Sequence, residues 1–282
     1  MIDLIIPIYN ANKTLEQTIM SIKLQTLLNK IKIYLIDDCS SENYEELLDK
    51  YKDMDITYKK LDKNKGPAVA RQKGIDISNS EYIMFIDADD LFYDADSVKT
   101  LYEEIIKGYD YVSGYSYEEK RNIDISNESD LHGKIYRRSF IKNNNIIFNE
   151  TRIHEDNYFN NLVLLCDPKI MRINNKIYIY VNNNESITNI NNDKEFDNLE
   201  ILLFNIRELL NQAKKRHSNK DNIVFLIFIK IKYFNRIFES FTEEQKNIFM
   251  NWLKKYNLNI EKYMNNQNYE EVYEKLLKEY NY

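Results

Sequence analysis

The chain has 282 residues, of which 43% are hydrophobic and 30% are charged, and these fractions are typical of a soluble globular protein. Its formal net charge of -6 argues against nucleic acid as a main partner, because phosphate binding requires a basic surface. By ordinary domain sizes, this length accommodates a catalytic domain of roughly 180 to 200 residues with a smaller appendage.

The cysteines and the apolar segments favour a cytoplasmic location. Cys39 and Cys166 are the only cysteines, and two thiols in a chain of this length are typical of reduced residues in a cytosolic protein. No basic region precedes an apolar stretch at the N-terminus, so we expect no secretory signal. The longest uncharged apolar run, Ile223 to Ile229, is far shorter than the roughly 20 residues of a spanning helix. We expect a cytoplasmic protein that is soluble or peripheral at the inner face of the membrane.

The first half of the chain alternates between strand-like and helix-like patterns. Apolar residues recur at helical spacing from Leu15 to Ile22, and Gly66-Pro67 is typical of the start of a helix over about 68–78. Short β-branched runs predict buried strands at Leu4–Ile6, Ile31–Ile36, Ile56–Tyr58 and Tyr82–Ile86. This alternation predicts a parallel sheet covered by helices, with ligands bound beyond the carboxyl ends of the strands.

The pattern after Asp110 is less regular. It predicts strands near Tyr111–Val112, Ile170 and Ile177–Val181, a loop at Asn122–Asp130, and helices after Arg138 and Glu155. Beyond about Asp193, helical periodicity predicts long segments near 194–216, 221–240, 243–256 and 268–280. We therefore predict one domain at 1–192, with halves at 1–107 and 108–192, and a helical C-terminal appendage at 193–282.

Polar residues follow three of the predicted strands where these end. Asn10 lies beyond the first strand, Asp37-Asp38 follows the second, and Asp87-Ala88-Asp89-Asp90 follows the fourth. Crowded carboxylates repel one another, so they persist most easily beside a cation or a hydroxyl-rich ligand. Because alternate side chains of a strand share one face, we expect Asp87 and Asp89 to face one pocket. One can hold a ribose and the other a Mg²⁺ or Mn²⁺ ion beside a nucleotide diphosphate.

Five segments agree together, in order and spacing, with one enzyme family. They are Ile5-Ile6-Pro7-Ile8-Tyr9-Asn10, Ile36-Asp37-Asp38-Cys39-Ser40, Asn64-Lys65-Gly66-Pro67 with Ala70-Arg71 and Gly74, Asp87-Ala88-Asp89-Asp90, and His154-Glu155-Asp156. On these residues, the chain from 2 to about 188 resembles glycosyltransferase family 2, on the GT-A fold. The resemblance implies an α/β, Rossmann-like, mostly parallel sheet flanked by helices, with 1–107 as the nucleotide-sugar half and 108–192 as the acceptor half.

The resemblance also assigns residues to the nucleotide-sugar donor. It implies that Pro7 and Tyr9 line the nucleoside pocket, and that Asp38 reads the base. Arg71 would help to hold the nucleoside end, and Asp87 would approach the ribose. By family frequency the donor is expected to be a UDP-sugar.

The remaining chemistry is assigned to the metal and to a general base. The resemblance implies that Asp89 binds the divalent metal, with the neighbouring Asp90 as the alternative ligand. It identifies Glu155 and Asp156 as the catalytic carboxylates, with Asp156 as the base that deprotonates the acceptor hydroxyl. In-line attack from the face opposite the diphosphate then inverts the anomeric carbon, and no covalent intermediate is needed. His154 is a weaker candidate for a metal or acceptor contact.

Two further segments resemble the family less closely. His132-Gly133-Lys134 is similar to the segment before the acceptor helix, in which Lys134 or Arg138 could contact phosphate or acceptor. Ser186 and Thr188 resemble a late family element, but the basic residue often found ahead of it is absent here. If that loop closes over the diphosphate, another residue or the metal must neutralise the charge.

The C-terminal region reverses the sign of the charge locally. Between Lys214 and Arg236 seven basic residues accompany a single acid, Asp221. One interpretation is that these helices contact an anionic surface, such as lipid headgroups or a charged polymer, with help from Phe225, Phe228 and Phe234. The other is a helical bundle that packs on the catalytic domain or on a second subunit in an oligomer.

The residues thus predict a metal-assisted, inverting glycosyltransferase that acts on a glycan or a cell-surface polymer. A sugar nucleotidyltransferase fits less well, because its glycine-rich triphosphate loop should follow the first strand, where this chain reads Pro7-Ile8-Tyr9-Asn10. A dinucleotide-binding dehydrogenase lacks its Gly-x-Gly-x-x-Gly motif. The alternative outside enzymology is a glycan- or nucleotide-binding scaffold that kept the fold and lost turnover.

Overall fold

A computed structural model of the chain describes residues 1–125, 130–181, 195–264, 266 and 268–279. It divides into two compact units. The described parts of Met1–Asn160 and Pro168–Asn189 form the first unit, and those of Asn161–Asp167 and Ile190–Tyr282 form the second. The predicted functional boundaries at 107 and 192 stay predictions.

The first unit is built on one mixed sheet. Its strands are β1 (Ile2–Ile8), β2 (Ile31–Asp37), β3 (Ile56–Lys60), β4 (Tyr82–Phe85), β5 (Leu91–Phe92), β6 (Tyr111–Glu118), β7 (Ile123–Ile125), β8 (Lys134–Arg137) and β9 (Ile170–Tyr180). Their order is β3-β2-β1-β4-β8-β6-β9-β5, and β7 pairs with β6 at the side of this path. The first four strands in this order are parallel to one another, as the βαβ pattern predicts.

Helices follow most of the strands. They are α1 (Leu15–Lys23), α2 (Glu45–Lys50), α3 (Pro67–Ile77), α4 (Ser97–Ile105), α5 (Arg138–Asn143) and α6 (Glu155–Leu165), with a short 3₁₀ helix at Leu28–Lys30. In the second unit they are α7 (Glu195–Arg216), α8 (Lys220–Phe238), α9 (Glu243–Lys255) and α10 (Tyr269–Glu279), with a 3₁₀ helix at Glu261–Tyr263. The bounds of α1, α3 and the four helices of the second unit agree closely with the predicted helical segments.

The central strands owe their position to their apolar side chains. Six of the seven residues of β1 are buried, because helices cover both faces of the sheet there. α1 buries its regularly spaced apolar side chains, including those of Ile19 and Ile22, against the same core. α3 approaches β1 so closely that a Cβ atom on Gly74 would lie 2.4 Å from Ile5 Cγ2. This part of the sheet therefore fixes the carboxyl ends of β1, β2 and β4 beside one another.

The second half of the sheet departs from the predicted elements. β8, which the sequence patterns did not predict, pairs antiparallel with both β4 and β6. The two strands expected near Ile170 and Ile177 are one strand, β9, whose pairing with β6 shifts register near Tyr115. The prediction of two strands was wrong because Asn174-Asn175-Lys176 reads as a polar break, yet this segment continues the strand at the irregularity.

The second unit is a set of helices around an aromatic core. Phe234, Phe238 and Phe249 pack ring against ring between α8 and α9. Phe234 and Lys230 are buried, so the predicted use of Phe234 on an anionic surface is wrong, whereas Phe225 is exposed. The contact of the basic helices with such a surface stays a prediction. No described helix is long and apolar enough to cross a membrane.

Candidate active site

The turns after β1 and β2 are joined by hydrogen bonds. Asn10, whose φ of 49° lies in the left-handed region, donates its backbone N–H to Ser40 Oγ at 2.9 Å. The side-chain oxygen of Asn10 accepts the N–H of Ser41 at 2.9 Å, and Asp37 Oδ1 accepts the N–H of Ser40 at 2.7 Å. These contacts hold the ends of two adjacent strands together. Pro7 is half-buried and Tyr9 is 51% exposed beside this junction, and their contacts with a nucleoside stay predictions.

Asp38 holds the loop that precedes α3. Its two carboxylate oxygens accept the backbone N–H groups of Lys65 at 2.9 Å and Gly66 at 2.7 Å. Gly66 has φ 93°, a conformation that side chains with a Cβ rarely adopt. Asp38 thus has a structural role that the sequence did not predict, and its expected contact with the base stays a prediction.

The acidic cluster after β4 lies on a turn and not on an extension of the strand. The N–H of Asp90 donates to the carbonyl oxygen of Asp87 at 3.2 Å, and β4 ends at Phe85. The expected strand alternation of Asp87 and Asp89 is therefore wrong, because the chain reverses between them. The turn instead brings Asp87 and Asp90 together, and the assignment of Asp89 to the metal stays a prediction.

Arg71 connects the acidic turn to the start of α6. Its Nη2 lies 2.5 Å from Asp87 Oδ1, and its Nη1 lies 2.6 Å from Glu155 Oε1. The guanidinium is buried, and its Nε has no hydrogen-bond partner among the described residues. A planar fork suits this bridge, since one side chain pairs with two carboxylates from different elements. Arg71 was predicted to hold the nucleoside end, and the contacts present are to these two acids.

Asp87, Asp90 and His132 form a group that can hold a metal ion. One ligand atom from each lies within 4.8 Å of the others, and His132 Nε2 is 3.5 Å from Asp87 Oδ2. Ligands of a single ion at metal distances of about 2.0 to 2.2 Å lie about 3 to 4.4 Å apart, so small adjustments would suffice. Two carboxylates and one imidazole are suitable donors for a divalent ion. The residues present therefore fit the expected cation.

Neighbouring groups hold Asp90 and His132 of this cation cluster. Asp90 Oδ2 accepts the hydroxyl of Tyr178 at 2.6 Å, and Asp90 Oδ1 accepts the N–H of Val181 at 2.8 Å. The ring of His132 stacks on that of Tyr178, with centroids 4.5 Å apart and 10° between the planes. Such supporting contacts orient ligands before an ion arrives.

Charge and burial shift the pKa values of the cluster in different directions. Burial alone would raise the pKa of Asp87, but Arg71 and His132 hold it well below its ordinary value. Burial raises the pKa of Asp90 to about 7, with His132 opposing and the charge of Asp87 adding to the shift. Burial opposes the protonation of His132, but its bond to Asp87 and the nearby acids raise its pKa to about 9. Without a cation, the cluster therefore retains protons near neutral pH.

The predicted catalytic pair stands at the start of α6. Burial raises the pKa of Glu155 to about 7, with Arg71 opposing and Asp156 adding to the shift. Asp156 is half-buried, and its Oδ1 accepts the N–H of Asn157 at 2.6 Å. His154 adopts φ 61° immediately before the helix, which makes it part of the turn that begins α6. The fold thus places Glu155 near Asp87, with Arg71 bonded to both.

The remaining predicted contacts are those of Lys134, Arg138, Ser186 and Thr188 with phosphate or acceptor. Lys134 is buried and donates from Nζ to the carbonyl oxygen of Asp130, and Arg138 Nε donates to that of Ser80 at 2.5 Å. Both cations thus bond to the backbone of their own unit. Ser186 and Thr188 lie outside the described residues.

The sequence patterns missed one residue of the cation cluster, His132, and one residue that supports it, Tyr178. His132 was noted only as part of a segment, and Tyr178 was only a strand residue. The contacts of Tyr178 with Asp90 and of His132 with Asp87 span at least 45 positions of sequence, and they depend on β9 and the loop before β8 meeting the turn after β4. Only the rarity of histidine, with three in the chain, could have drawn attention to His132.

Comparison with models of known protein families shows to which family the chain belongs. The profile described as Glycosyl transferase family 2 matches residues 3–161, which is more than half of the chain. The chain belongs to glycosyl transferase family 2. This confirms the predicted family, and with it the enzyme class of the domain.

Characterised relatives of this family 2 chain include bacterial enzymes. The poly(ribitol-phosphate) beta-N-acetylglucosaminyltransferase TarP of Staphylococcus aureus is 30% identical over 224 residues, which are 70% of this chain and 68% of TarP. The glycosyltransferase GlyA of Streptococcus pneumoniae is 27% identical over 214 residues, 64% of this chain and 30% of GlyA. GlyG of the same organism is 36% identical over 124 residues, 42% of this chain and 40% of GlyG. The chain thus spans less than half of the length of GlyA and GlyG.

Solved structures share the fold of this family 2 chain. The structure of S. aureus TarS 1–349 with UDP-GlcNAc has a TM-score of 0.73 at 18% identity, covering 90% of this chain and 80% of that one. The mannosyltransferase PcManGT of Pyrobaculum calidifontis, with GDP-Man and Mn²⁺, has a TM-score of 0.60 at 10% identity, covering 97% and 85%. At these identities the likeness establishes the fold alone, and it confirms the predicted GT-A class with C-terminal helices.

Proposed function

We propose that this family 2 chain is a metal-assisted, inverting glycosyltransferase that moves a sugar from a UDP-sugar to a hydroxyl of a glycan or a cell-surface polymer. The donor diphosphate lies at the Asp87–Asp90 turn, and Asp156 acts as the general base. Family membership supports the reaction class, and the geometry supports the division of roles.

The observation that carries this proposal is the bridge made by Arg71. Donor-side Asp87 and base-side Glu155 approach the same guanidinium at 2.5 and 2.6 Å. In a single displacement, the leaving diphosphate and the attacking hydroxyl must lie on opposite sides of one anomeric carbon, a few ångströms apart. A bridge of one side chain is consistent with that spacing.

The donor assignment rests on the acidic turn and on the names of related proteins. TarS is described in complex with UDP-GlcNAc, and TarP is named an N-acetylglucosaminyltransferase. Asp87, Asp90 and His132 would hold the divalent cation. Bound there, the cation would supply positive charge against the diphosphate as it leaves.

The remaining chemistry is carried out by the side chains at the start of α6. The Asp156 carboxylate takes the proton of the acceptor hydroxyl, whose oxygen attacks the anomeric carbon. The bond from that carbon to the diphosphate oxygen breaks, UDP leaves with the electron pair, and the configuration inverts. Glu155, fixed by Arg71, orients this end of the helix. A positioned base of this kind contributes typically about 10²- to 10⁴-fold to the rate.

The acceptor class is proposed from the relatives' names. TarP is named for poly(ribitol-phosphate), a polymer. Poly(ribitol phosphate) and neutral oligosaccharides are therefore the first acceptors to compare, and the hydrolysis of UDP-GlcNAc offers a readout that needs no acceptor. A scaffold without turnover would bind UDP but produce neither hydrolysis nor transfer.

The test of this function is Asp156→Asn, with Asp49→Asn as the matched control on an exposed part of α2. We expect Asp156→Asn to bind UDP as the unaltered chain does, and to lose transfer by about 10²-fold or more. NMR of the product should show a β-linkage from an α-linked donor. Unchanged turnover in Asp156→Asn contradicts the base assignment, and a retained α-configuration contradicts the inverting mechanism.

A further inference from the structure

The roles of the catalytic carboxylates and of the nucleoside-binding residues do not explain the presence of a histidine at position 132. It stands in the loop before β8, followed by Gly133 with φ 63°, and its side chain is 16% exposed. Its ring stacks on Tyr178, which leaves Nε2 facing Asp87 Oδ2 at 3.5 Å. The imidazole nitrogen is thus presented to the same space as the carboxylates.

The three ligand atoms of the cation cluster come from separate parts of the first unit and are individually supported. Asp87 is held through its other oxygen by Arg71, so Oδ2 is the atom turned toward His132. Asp90 is held by Tyr178 and by the N–H of Val181. Tyr178 therefore contacts all three residues: its hydroxyl donates to Asp90 and accepts the backbone N–H of Asp87 at 3.2 Å, and its ring stacks on His132.

We infer that His132 is the cation-selecting ligand of this family 2 site. Its Nε2 enters the coordination shell together with Asp87 and Asp90, and it makes the site prefer first-row transition ions such as Mn²⁺ and Co²⁺ to Mg²⁺. The inference rests on the proposed function, because the bound cation serves the same donor diphosphate.

The preference follows from the chemistry of the donor set. Mg²⁺ is a hard ion that favours oxygen ligands in near-ideal octahedral geometry and gives up its water reluctantly. An imidazole nitrogen gains more from a transition ion, and such sites bind Co²⁺ more tightly than Mn²⁺. A site of carboxylates alone would lack this discrimination.

A structural role for His132 makes different predictions. As a stacking partner of Tyr178 and an ion-pair partner of Asp87, it would stabilise the fold without touching the ion. His132→Gln separates the two roles, because the glutamine oxygen reaches about as far as Nε2 and replaces a nitrogen ligand by an oxygen ligand. The matched control is His217→Gln, since His217 is exposed in the second unit.

The first measurement is pulsed EPR of the full chain loaded with Mn²⁺ and UDP. We expect a ¹⁴N coupling of directly bound imidazole in the unaltered chain and in His217→Gln, and its loss in His132→Gln. The unaltered chain alone tests the inference, so a variant that fails to fold does not prevent a decision. Bound Mn²⁺ without any nitrogen coupling overturns the role of His132 and leaves the proposed function intact.

The second measurement is isothermal titration with Mn²⁺, Co²⁺ and Mg²⁺ in the presence of UDP. We expect affinity in the order Co²⁺, Mn²⁺, Mg²⁺ for the unaltered chain. His132→Gln should weaken Mn²⁺ binding at least about tenfold, the lower range for losing a group that supports a metal site, and change Mg²⁺ binding little. Equal losses for all three ions overturn the selecting role. A chain that binds no UDP under any condition contradicts the proposed function as well.

Discussion

At the scale of single residues, Arg71 is the group on which the site depends most. It is buried between Asp87 and Glu155, and it is the only side chain among the described residues that pairs with acids from both sides of the site. Removal of one partner from a buried ion pair leaves charges that neither water nor protein compensates. The cost therefore falls on stability and on activity together.

We expect Arg71→Met to destabilise the chain by about 3 to 5 kcal/mol, the usual range for breaking a buried pair. The stability of Arg71→Lys should lie between that of the unaltered chain and that of Arg71→Met, because a single ammonium keeps the charge but cannot reproduce the planar fork. Urea unfolding followed by circular dichroism measures the difference. Lys52→Met is the control, since Lys52 forms an exposed pair with Asp49 and its removal should change stability little. An Arg71→Met variant as stable as that control would contradict the bridge.

The shifted pKa values of the site residues predict how the stability of the chain depends on pH. Glu155 and Asp90 have pKa values raised to about 7, and His132 has one raised to about 9. Each group binds its proton more tightly when folded, so its contribution is complete below its unfolded pKa and is lost as the pH rises through the folded value. The lowered pKa of Asp87 acts in the opposite sense, but only at acid pH.

We therefore expect the chain in EDTA to lose stability between about pH 4 and pH 9. Thermal unfolding across this range measures the loss. Asp90→Asn, which cannot ionise, should remove the share of Asp90 in the decline below about pH 7 and leave the share of Glu155. Stability that rises steadily from pH 5 to pH 9 in EDTA would show that these groups are not held as the geometry indicates.

At the scale of elements, the contact between α3 and β1 positions Arg71. Gly74 lies on α3 one turn beyond Arg71, and a Cβ added there would lie 2.4 Å from Ile5 Cγ2. Ile5 is fully buried in a central strand, so it has little room to move. The close approach is what allows the guanidinium to reach the turn after β4.

Gly74→Ala should destabilise the chain by about 1 to 3 kcal/mol, the usual cost of overpacking a core. In Gly74→Ala/Ile5→Ala the clashing atoms are gone, so the combined loss should be smaller than the sum of the two single losses. Urea unfolding of the four proteins gives this coupling. Strictly additive losses would indicate that α3 adjusts its position without cost.

Some secondary-structure elements could be predicted from the sequence, and others could not. The four parallel strands follow from short β-branched apolar runs, α1 follows from its apolar spacing, and α3 follows from Gly66-Pro67, because each of these patterns is local in the sequence. β8 was missed because Lys134–Arg137 is short and half of it is basic, so its strand character comes from pairing with β4 and β6. Pairing between residues more than 20 positions apart leaves no local pattern.

The same distinction applies to the candidate site. Asp87, Asp90, Arg71 and Glu155 could be singled out from segments whose order and spacing resemble one family. Their mutual geometry could not, since the turn at 88–89 reverses the alternation expected of a strand. His132 and Tyr178 join the site only through the folded sheet.

At the scale of the whole molecule, the chain has a first unit with the candidate active site and a second, helical unit. The family profile covers residues 3–161, nearly all of them in the first unit, whereas the exposed apolar and basic side chains of α8, such as Phe225 and Lys232, belong to the second. An oligomer and a contact with an anionic surface both stay predictions for this unit. The catalytic roles proposed for the first unit depend neither on an oligomer nor on a contact with an anionic surface.

The central claim is that the acidic turn binds a nucleotide diphosphate through a divalent cation. The most direct measurement is the thermal shift of the full chain with UDP, in Mn²⁺ and in EDTA, for the unaltered chain and for Asp90→Asn. We predict a stabilisation by UDP in Mn²⁺ that approaches about 2.7 kcal/mol at a hundredfold excess over Kd, and that EDTA and Asp90→Asn each largely abolish. No shift with UDP, or the same shift in EDTA as in Mn²⁺, would contradict the account.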